Sequence, residues 1–545
     1  MSGLVIIAFR LLIEWAQISI LPDGDFENYE QLDPLWIFLL PFIGAVILGF
    51  LFQWIDKKYR SVGVVHTIER LDYHQGQLPL VNAFIQFIGA AISIISGHSV
   101  GREGPSIHLG AASGSFIGQS LKLSNNSLRI LVGCGIASAI ASSFNTPLAG
   151  VIFTIEVIML EYALFSMLPI LLAAVTATVM SRLVFGDEAL FSGTESALTN
   201  STEYIWVIVT GIIIGLLAAS YIRLLVFFSK FVSHWPIALR MSLAGVITGG
   251  CAVVAPEIMS IGYDTIAQAS MGNIAIAALI IIVLVKLLAT TASLGLGIPG
   301  GLIGPTLFIG ATAGAAIGAL GVDMAPEHVH SAGIYALIGM GAMMGATIHA
   351  PLAALLAVFE LTQNPNVILP GMLAIFVAHI IVSEAFKQRA VFDQLLKIRG
   401  LDHSDNPITR SLRHVPIVQI MDQDFALVDT MITNDATRLL LESPPRWILV
   451  KKQDQLVSLF PTADLQAYAI QTDTTDINLL EMPANRLDAA PLSVQATLQD
   501  AYRLIENNDI EALYVTDMSK SKNIIGIVNR DDIENYKPIG RIKRA

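Results

Sequence analysis

Long apolar segments separated by short polar loops occupy the first three quarters of the chain. Clear examples are LWIFLLPFIGAVILGFLF (35–52), WVIVTGIIIGLLAASYIRLLVFF (206–228) and IAIAALIIIVLVKLLATTASLGLGI (274–298). A bilayer span needs roughly 20 apolar residues, so each segment predicts a transmembrane helix. Several other apolar runs are too short to cross a bilayer fully. The run that starts at residue 3 is interpreted as a retained helix rather than a signal peptide.

The pattern changes after the last apolar run, where charges become dense and apolar stretches shrink to strand length. RWILVKK (446–452) and EALYVTD (511–517) predict buried strands, and LQDAYRLIENNDI (498–510) predicts a helix. The chain therefore divides into a membrane domain, 1–402, and a soluble α/β domain, 410–545.

Composition supports a membrane protein. Hydrophobic residues make up 54% of the chain and charged residues 14%, whereas soluble proteins carry about 25% charged residues. The net charge of −12 argues against nucleic acid as a partner. The two cysteines, Cys134 and Cys251, both lie in apolar surroundings, so no disulfide framework or metal cluster is expected.

Loop charge predicts the orientation. The loop 21–34 is acidic, whereas the loop at 56–60 reads DKKYR. Positive residues favour the cytoplasmic side, so the second loop and the N-terminus are expected in the cytoplasm. Compact loops favour a prokaryotic protein of a bacterial inner membrane, surrounded by lipid, with its C-terminal domain in the cytoplasm.

The membrane domain contains an internal repeat. GPSIHLGAASGSFIG (104–118) aligns with GPTLFIGATAGAAIG (304–318) at an offset of 304 − 104 = 200. NTPLAGVIFTIE (145–156) aligns with HAPLAALLAVFE (349–360) at an offset of 349 − 145 = 204. Repeated halves are typical of transporters and channels, and an odd number of spans between the copies would make the halves inverted.

The repeat predicts where a ligand binds. The halves cover approximately 60–185 and 205–395, and each has a Gly/Pro-interrupted loop, GREGP (101–105) or GGLIGP (300–305), before an apolar helical run. Proline suits the first helical turn, and glycine lets a ligand approach the backbone. A helix N-terminus offers free N–H groups and partial positive charge, so two such ends would attract an anion.

Arg102 and Glu103 are adjacent charges within this apolar context. Charges at membrane depth are costly and are usually functional. One interpretation is that the two neutralise each other at a membrane surface. The other is that Glu103 occupies the place that an anion favours, and that its protonation or displacement frees that place. Glu103 would then act as both a gate and a proton carrier.

Four motifs carry a resemblance to a known family. They are GREGP (101–105), FNTPLAGVIFTIE (144–156), GIPGGLIGP (297–305) and APLAALLAVFELT (350–362). In these motifs the chain resembles the CLC family of chloride channels and proton-coupled chloride transporters. The resemblance implies an α-helical polytopic membrane fold with two inverted repeats, and a homodimer with one anion pathway in each subunit.

The resemblance also implies site residues. Glu103 matches the family's external gating glutamate. Leu302 and Ile303 match the positions whose backbone amides bind the central anion, and a backbone donor survives the replacement of the family's Phe by Ile303. Arg102 and Gly104, which flank the gate, are included in the predicted anion site.

The sequence departs from the family at two anion ligands. Val62 falls where the family has a serine hydroxyl, with Ser61 one residue away, and Phe392 falls where it has a tyrosine hydroxyl. The central site would then depend on backbone amides. The permeant ion is expected to be chloride, with another anion such as fluoride or nitrate as the alternative.

A third departure concerns protons. The family's exchangers have an internal glutamate directly after the one that Glu156 matches, and this chain has Val157 there. Glu161, one helical turn further on, is a possible substitute or a solvated helix-end carboxylate. We therefore expect a channel or a weakly proton-coupled transporter, with a coupled chloride/proton antiporter as the alternative. Anion flux should rise on acidification.

The C-terminal domain resembles a pair of CBS domains, approximately 412–472 and 482–545. Asp464 and Asp532 fall where a ribose-binding aspartate would lie, which would suit an adenine nucleotide, the one cofactor considered. Pro461 and Asn529 replace the phosphate-binding Ser/Thr. The alternative is a purely structural role in dimerisation.

Two short motifs suggest enzymes. GHSVG (97–101) fits the GxSxG pattern of serine hydrolases, but an apolar helix-length run precedes it instead of a strand. GLGIPG (295–300) fits GxGxxG, but Pro299 stands where the phosphate-binding helix would begin. We expect a protein that is not an enzyme.

Overall fold

The structure is a computed structural model and forms two compact units, one of residues 1–122 and 127–403 and one of residues 123–126 and 404–545. It describes the whole chain except 23–26, 161–163, 188–190, 192–196, 199, 327–328, 330, 402–411, 413–414, 453–454, 472–475, 518–522, 535 and 537–545. Glu161, one of the predicted proton residues, lies outside the described residues.

The first unit is helical. In chain order its helices are α1 (Ser2–Ile20), α2 (Pro34–Trp54), α3 (Gly63–Tyr73), α4 (Leu80–Ile95), α5 (Glu103–Ser120), α6 (Asn125–Phe144), α7 (Pro147–Phe153), α8 (Leu164–Phe185), α9 (Glu203–Phe231), α10 (Ile237–Val254), α11 (Tyr263–Ser270), α12 (Ile276–Leu296), α13 (Ile303–Met324), α14 (Ala332–Ile348), α15 (Pro351–Thr362), α16 (Ile368–Ile380) and α17 (Val391–Ile398). Among the described residues, nine helical segments are long and apolar enough to cross a membrane. The three spans named from sequence are confirmed as α2, α9 and α12. Shorter apolar helices such as α4 and α15 account for the runs that were too short to cross.

The repeated glycines let helices pack backbone to backbone. A Cβ on Gly110 of α5 would overlap the carbonyl oxygen of Gly135 on α6. In the second half, a Cβ on Gly310 of α13 would overlap the carbonyl oxygen of Gly339 on α14. Small residues at such contacts are the usual way for membrane helices to approach closely. Each half therefore contains an equivalent pair of closely packed helices, α5–α6 in the first and α13–α14 in the second.

Two carboxylates tie the halves together. Glu156 Oε1 and Oε2 accept hydrogen bonds from the N–H groups of Leu352 and Ala353, at 3.3 and 2.8 Å. Glu360 Oε1 and Oε2 accept from the N–H groups of Leu148 and Ala149, at 3.0 and 2.8 Å. Each acceptor lies near the end of one short helical segment and caps the start of the other, where backbone donors lack partners within the helix.

The second unit contains two copies of one arrangement. Its elements are β1 (Phe425–Asp429), β2 (Met431–Thr433), α18 (Asn434–Glu442), β3 (Trp447–Lys452), β4 (Gln455–Pro461), α19 (Thr462–Gln471), β5 (Asp476–Asn478), β6 (Ala489–Ser493), α20 (Leu498–Asn508), β7 (Ala512–Thr516), β8 (Ile524–Asn529) and α21 (Arg530–Glu534). In the sheets β1-β3-β4 and β6-β7-β8 the first pair is parallel and the second antiparallel, and β2 pairs with β5. The predicted strands β3 and β7 and the predicted helix α20 are confirmed. Thr497 caps α20 through a capping box with Asp500.

Candidate functional site

The two Gly/Pro loops meet at a short backbone bridge. The N–H of Gly101 donates to the carbonyl of Gly301 at 2.8 Å, and the N–H of Gly301 donates to the carbonyl of Gly101 at 2.7 Å. The helices that follow, α5 and α13, each have a proline in the first turn, Pro105 and Pro305. The bridge therefore holds the N-terminal ends of two helices close together, as the repeat suggested.

Glu103 is the first residue of α5 and is completely buried. Its carboxylate lies against three glycines, since a Cβ on Gly101, Gly301 or Gly304 would overlap one of its oxygens. Neither oxygen accepts a hydrogen bond of standard geometry from the described residues, and the groups nearest to act on it are the backbone N–H groups of Glu103 and Gly304. The positive ends of α5 and α13 favour negative charge at this place, whether it is the Glu103 carboxylate or another anion. The side chain therefore occupies a position that an anion could also take.

Arg102 points away from Glu103. Its Nη2 donates to the carbonyl of Ser143 at 2.9 Å, and its guanidinium lies over the rings of Phe144 and Tyr263, at 5.5 and 5.4 Å from their centroids. These contacts do not fit the interpretation in which Arg102 and Glu103 neutralise each other. Arg102 and Glu103 are adjacent in sequence, but the turn before α5 directs their side chains to different surroundings.

A cavity of about 390 Å³ brings together most of the predicted anion-site residues. It is lined by the predicted residues Val62, Gly104, Leu302, Ile303 and Phe392. Three arginines also line it, namely Arg60, Arg240 and Arg399. The starts of α3 and α13 border the same space, so its wall combines cationic side chains with helix N-termini.

Two predicted anion-site residues lie elsewhere. Ser61 does not line the described cavity, and its carbonyl accepts a hydrogen bond from Asn82 Nδ2 at 2.9 Å. Arg102 lines a different cavity, of about 490 Å³. Sequence spacing placed both near the site, but the turn before α3 and the turn before α5 direct them away from it.

The second cavity carries mixed charge. Arg10, Glu14, Glu27, Arg102 and Asp264 line it. The N–H of Tyr263 donates to Glu27 Oε2 at 3.3 Å. Burial, reinforced by the nearby Asp264 and opposed by Arg102 and Lys286, raises the pKa of Glu27 to about 7. The loop that carries Glu27 is the acidic loop between α1 and α2.

A small space of about 30 Å³ lies beside Glu103, among apolar side chains that include Phe153 and Ile303. This is room for about one water molecule. Val157 lies one turn beyond Phe153, in a π-helical turn, and is almost fully buried. Val157 does not line the space, and the side chain cannot carry a proton.

Lys286 is a fully buried cation in the apolar helix α12. Its Nζ donates to the carbonyls of Ile258, Ser260 and Ile261, at 2.9, 3.0 and 3.4 Å. The ammonium also lies 4.3 Å from the ring centroid of Phe308. It therefore fixes the turn that precedes α11, a structural role.

Asp464 and Asp532, the two aspartates predicted to contact a ribose, make hydrogen bonds within the second unit. Asp464 Oδ2 accepts from the N–H of Asn485 at 2.7 Å. Asp532 Oδ2 accepts from the N–H of Asn529 at 3.2 Å, while the N–H of Asp532 donates to Asn529 Oδ1 at 2.7 Å. Both carboxylates are thus engaged within the protein.

These features define a polytopic helical membrane protein in which two repeats bring helix N-termini together, an arrangement suited to binding an anion. The family profile described as voltage gated chloride channel matches residues 44–383. The chain belongs to this voltage gated chloride channel (CLC) family.

Relatives and solved structures agree with this assignment. A ClcB-like protein of Ralstonia nicotianae, named as a chloride channel protein, is 32% identical over 364 residues, covering 64% of this chain and 82% of the relative. The crystal structure of a slow cyanobacterial Cl⁻/H⁺ antiporter is similar with a TM-score of 0.64 and 25% identity, over 73% of this chain and 95% of that chain. A eukaryotic CLC transporter has a TM-score of 0.62 at 20% identity, over 97% of this chain and 95% of that chain. The predicted fold class, a CLC membrane fold followed by an α/β domain, is confirmed.

Proposed function

We propose that the chain conducts chloride across the membrane along a pathway gated by Glu103, as a channel or a weakly proton-coupled transporter. The observation that carries the proposal is the fully buried Glu103 carboxylate at the start of α5, packed against Gly301 and Gly304 beside the start of α13. An anion and this carboxylate compete for the same electropositive place.

The neighbours of Glu103 indicate a route. Gly104 lines the cavity with the three arginines, and Arg102 lines the mixed-charge cavity. Glu103 lines the small space of about 30 Å³, which shares Ile303 with the arginine-lined cavity. In this proposal its side chain is the obstacle on the route between the two larger cavities. When Glu103 takes a proton, it loses the charge that binds it there, and chloride replaces it.

The apolar surroundings of Glu103 support a channel-like mode, and Val157, at the position of the family's internal glutamate, has no proton to transfer. A proton travelling from Glu103 towards the inner face needs titratable groups or water. The described space beside Glu103 has room for about one water molecule and is lined by apolar side chains apart from Glu103 and Thr146. This favours anion movement that leaves protons behind.

Two alternatives have their own support. The structurally similar cyanobacterial protein is titled a Cl⁻/H⁺ antiporter, which favours coupled exchange. The absence of a hydroxyl at Val62 and Phe392, both of which line the cavity, favours a permease for another anion such as fluoride or nitrate.

The deciding experiment records chloride efflux and proton movement in the same liposomes containing purified protein. Fast chloride efflux without proton movement supports the channel mode. Uphill proton movement driven by a chloride gradient at a fixed ratio would replace it with the antiporter. If fluoride or nitrate leaves the liposomes far faster than chloride, that anion replaces chloride as the proposed substrate.

We further propose that the second unit is a cytoplasmic CBS-like pair that supports a homodimer. The repeated strand order and pairing of its two sheets supports this internal duplication. The contacts of Asp464 and Asp532 within the protein favour a structural role over nucleotide binding. Light scattering in detergent should give a dimer, and addition of ATP or AMP should leave the melting temperature unchanged.

A further inference from the structure

The arginine-lined cavity contains a polar side chain that the assigned site does not use. Gln86 lies on α4, lines the cavity and has no exposed surface. Neither its Oε1 nor its Nε2 has a hydrogen-bond partner among the described residues. Buried amides are nearly always hydrogen-bonded, so a fully unpaired one in a cavity wall indicates a missing partner.

Gln86 faces the start of α3. Apart from Gly63's own neighbours in the chain and in α3, the one atom of the described residues within 4 Å of a Cβ built on Gly63 is Gln86 Oε1, at 3.9 Å. Gly63 is the first residue of α3, an 11-residue helix whose first N–H groups have no partner within the helix. The amide therefore borders the start of α3, and rotation of the amide by 180° would place its NH₂ group there, where it and the free N–H groups could donate to one shared acceptor.

A second amide on the same helix provides a contrast. Asn82 lies one turn before Gln86 and is equally buried, but its Nδ2 donates to the carbonyls of Tyr59 and Ser61. Asn82 holds the turn before α3 in place. Gln86 has no such structural contact, so holding that turn does not explain its position.

The surroundings of Gln86 indicate that its missing hydrogen-bond partner is negatively charged. Arg60, Arg240 and Arg399 line the same cavity, and Arg240 Nε also has no partner among the described residues. The starts of α3 and α13 add partial positive charge. The nearby Val62 and Phe392 offer no side-chain donor. A small anion fits this wall, and an amide NH₂ is a donor that could contact it.

We propose that Gln86 donates a side-chain hydrogen bond to the permeating anion at the start of α3, and that it thereby helps to select the anion. This inference rests on the proposed anion permeation. An anion that enters the cavity gives up water molecules, and each protein donor replaces part of that hydration. The donor matters most for the anion that holds water more tightly, so Gln86 favours chloride over nitrate.

The test compares chloride and nitrate efflux from liposomes with the full chain, Gln86→Leu and Gln86→Met. The chloride-to-nitrate rate ratio should fall about ten-fold in both variants, the effect of one hydrogen bond. Met keeps the length of the side chain, so a folding defect in the Leu variant leaves the test in place. Gln388→Leu is the matched control, because Gln388 is also an amide in the membrane unit but donates to the carbonyl of Ala219 and does not line the cavity. Its ratio should equal that of the unmodified protein.

An unchanged ratio in a Gln86 variant that still conducts would overturn the inference and leave the proposed function standing. An equal fall in the Gln388→Leu control would also overturn it, since the effect would then be structural. The absence of anion efflux from the unmodified protein would overturn the proposed function itself.

Discussion

Glu156 and Glu360 cap each other's repeat. Each carboxylate accepts two backbone N–H hydrogen bonds at the start of the short helix in the opposite half, α15 for Glu156 and α7 for Glu360. Both helices begin with a proline, and the next two N–H groups lie in the first turn, where they have no acceptor within the helix. The two aligned motifs, 145–156 and 349–360, therefore contact each other reciprocally in the structure.

Removal of one capping carboxylate should lower stability without changing selectivity. We expect Glu156→Ala to lower the free energy of unfolding by about 1–2 kcal/mol, because two N–H groups lose a charged acceptor. Glu156→Gln keeps one acceptor oxygen and should lose less. Thermal unfolding in detergent measures both, with the exposed Glu384→Gln as a control. A melting temperature for Glu156→Ala equal to that of the control would contradict the capping role.

The gate predicts the pH dependence of transport. Glu103→Gln is uncharged at every pH, so its anion flux at pH 8 should match the flux of the unmodified protein at low pH. The slope of flux against pH should disappear. Liposome efflux between pH 4 and pH 8 measures this, and Glu384→Gln should retain the slope. The same slope in Glu103→Gln would exclude Glu103 as the proton-dependent gate.

A glycine next to the gate offers a test by shape alone. A Cβ on Gly304 would overlap Glu103 Oε1, and the nearest atom outside that carboxylate is Gly101 Cα at 3.6 Å. Gly304→Ala should therefore push the Glu103 side chain away and raise flux at pH 8 towards its acidic level. Gly250→Ala is the control, since a Cβ there meets nothing within 4 Å. Equal pH profiles for the two variants would show that Glu103 does not block the path where it lies.

A hydroxyl returned to the cavity should strengthen anion binding. Phe392 and Ile303 both line the cavity, and a tyrosine at position 392 would add one hydroxyl donor to its wall. We expect Phe392→Tyr to lower the half-saturating chloride concentration for efflux by about ten-fold. The exposed Phe376→Tyr should leave that concentration unchanged. An unchanged value in Phe392→Tyr would place the anion beyond reach of this position.

The acidic loop predicts how stability depends on pH. Burial raises the pKa of Glu27 to about 7 in the folded protein. The folded state then binds the Glu27 proton more tightly than the unfolded chain, so its contribution is full below about pH 4.5 and is lost as pH rises through 7. The melting temperature should fall from pH 5 to pH 8, and Glu27→Gln should reduce that fall. A fall of the same size in Glu27→Gln would assign the effect to other groups.

Much of the membrane unit could be read from sequence because the signals are local. Hydropathy predicted α2, α9 and α12, and the spacing of Gly and Pro predicted the starts of α5 and α13. Side-chain direction could not be predicted, since it depends on partners distant in sequence. Arg102 turns towards Ser143 because that carbonyl is available, although Glu103 is its neighbour in the chain.

The sequence contains a weak indication of Gln86, the cavity residue that the sequence analysis did not assign. Asn82 and Gln86 stand four residues apart in the otherwise apolar run LVNAFIQFIGAAISII, which places both amides on one face of α4. The sequence shows that two polar groups share this face. The fold alone separates the one that holds a turn from the one that borders the cavity.

The bridge between Gly101 and Gly301 also sets the order in which the protein can be completed. Its halves are 301 − 101 = 200 residues apart, and each glycine depends on the other for both backbone hydrogen bonds. At a synthesis rate of about 5–20 residues per second, the first loop is made roughly 10–40 s before its partner exists. During that interval Glu103 has no second helix end beside it. The gate is therefore assembled only after translation has passed the second repeat, so a chain shortened before residue 301 would carry Glu103 without its partner loop.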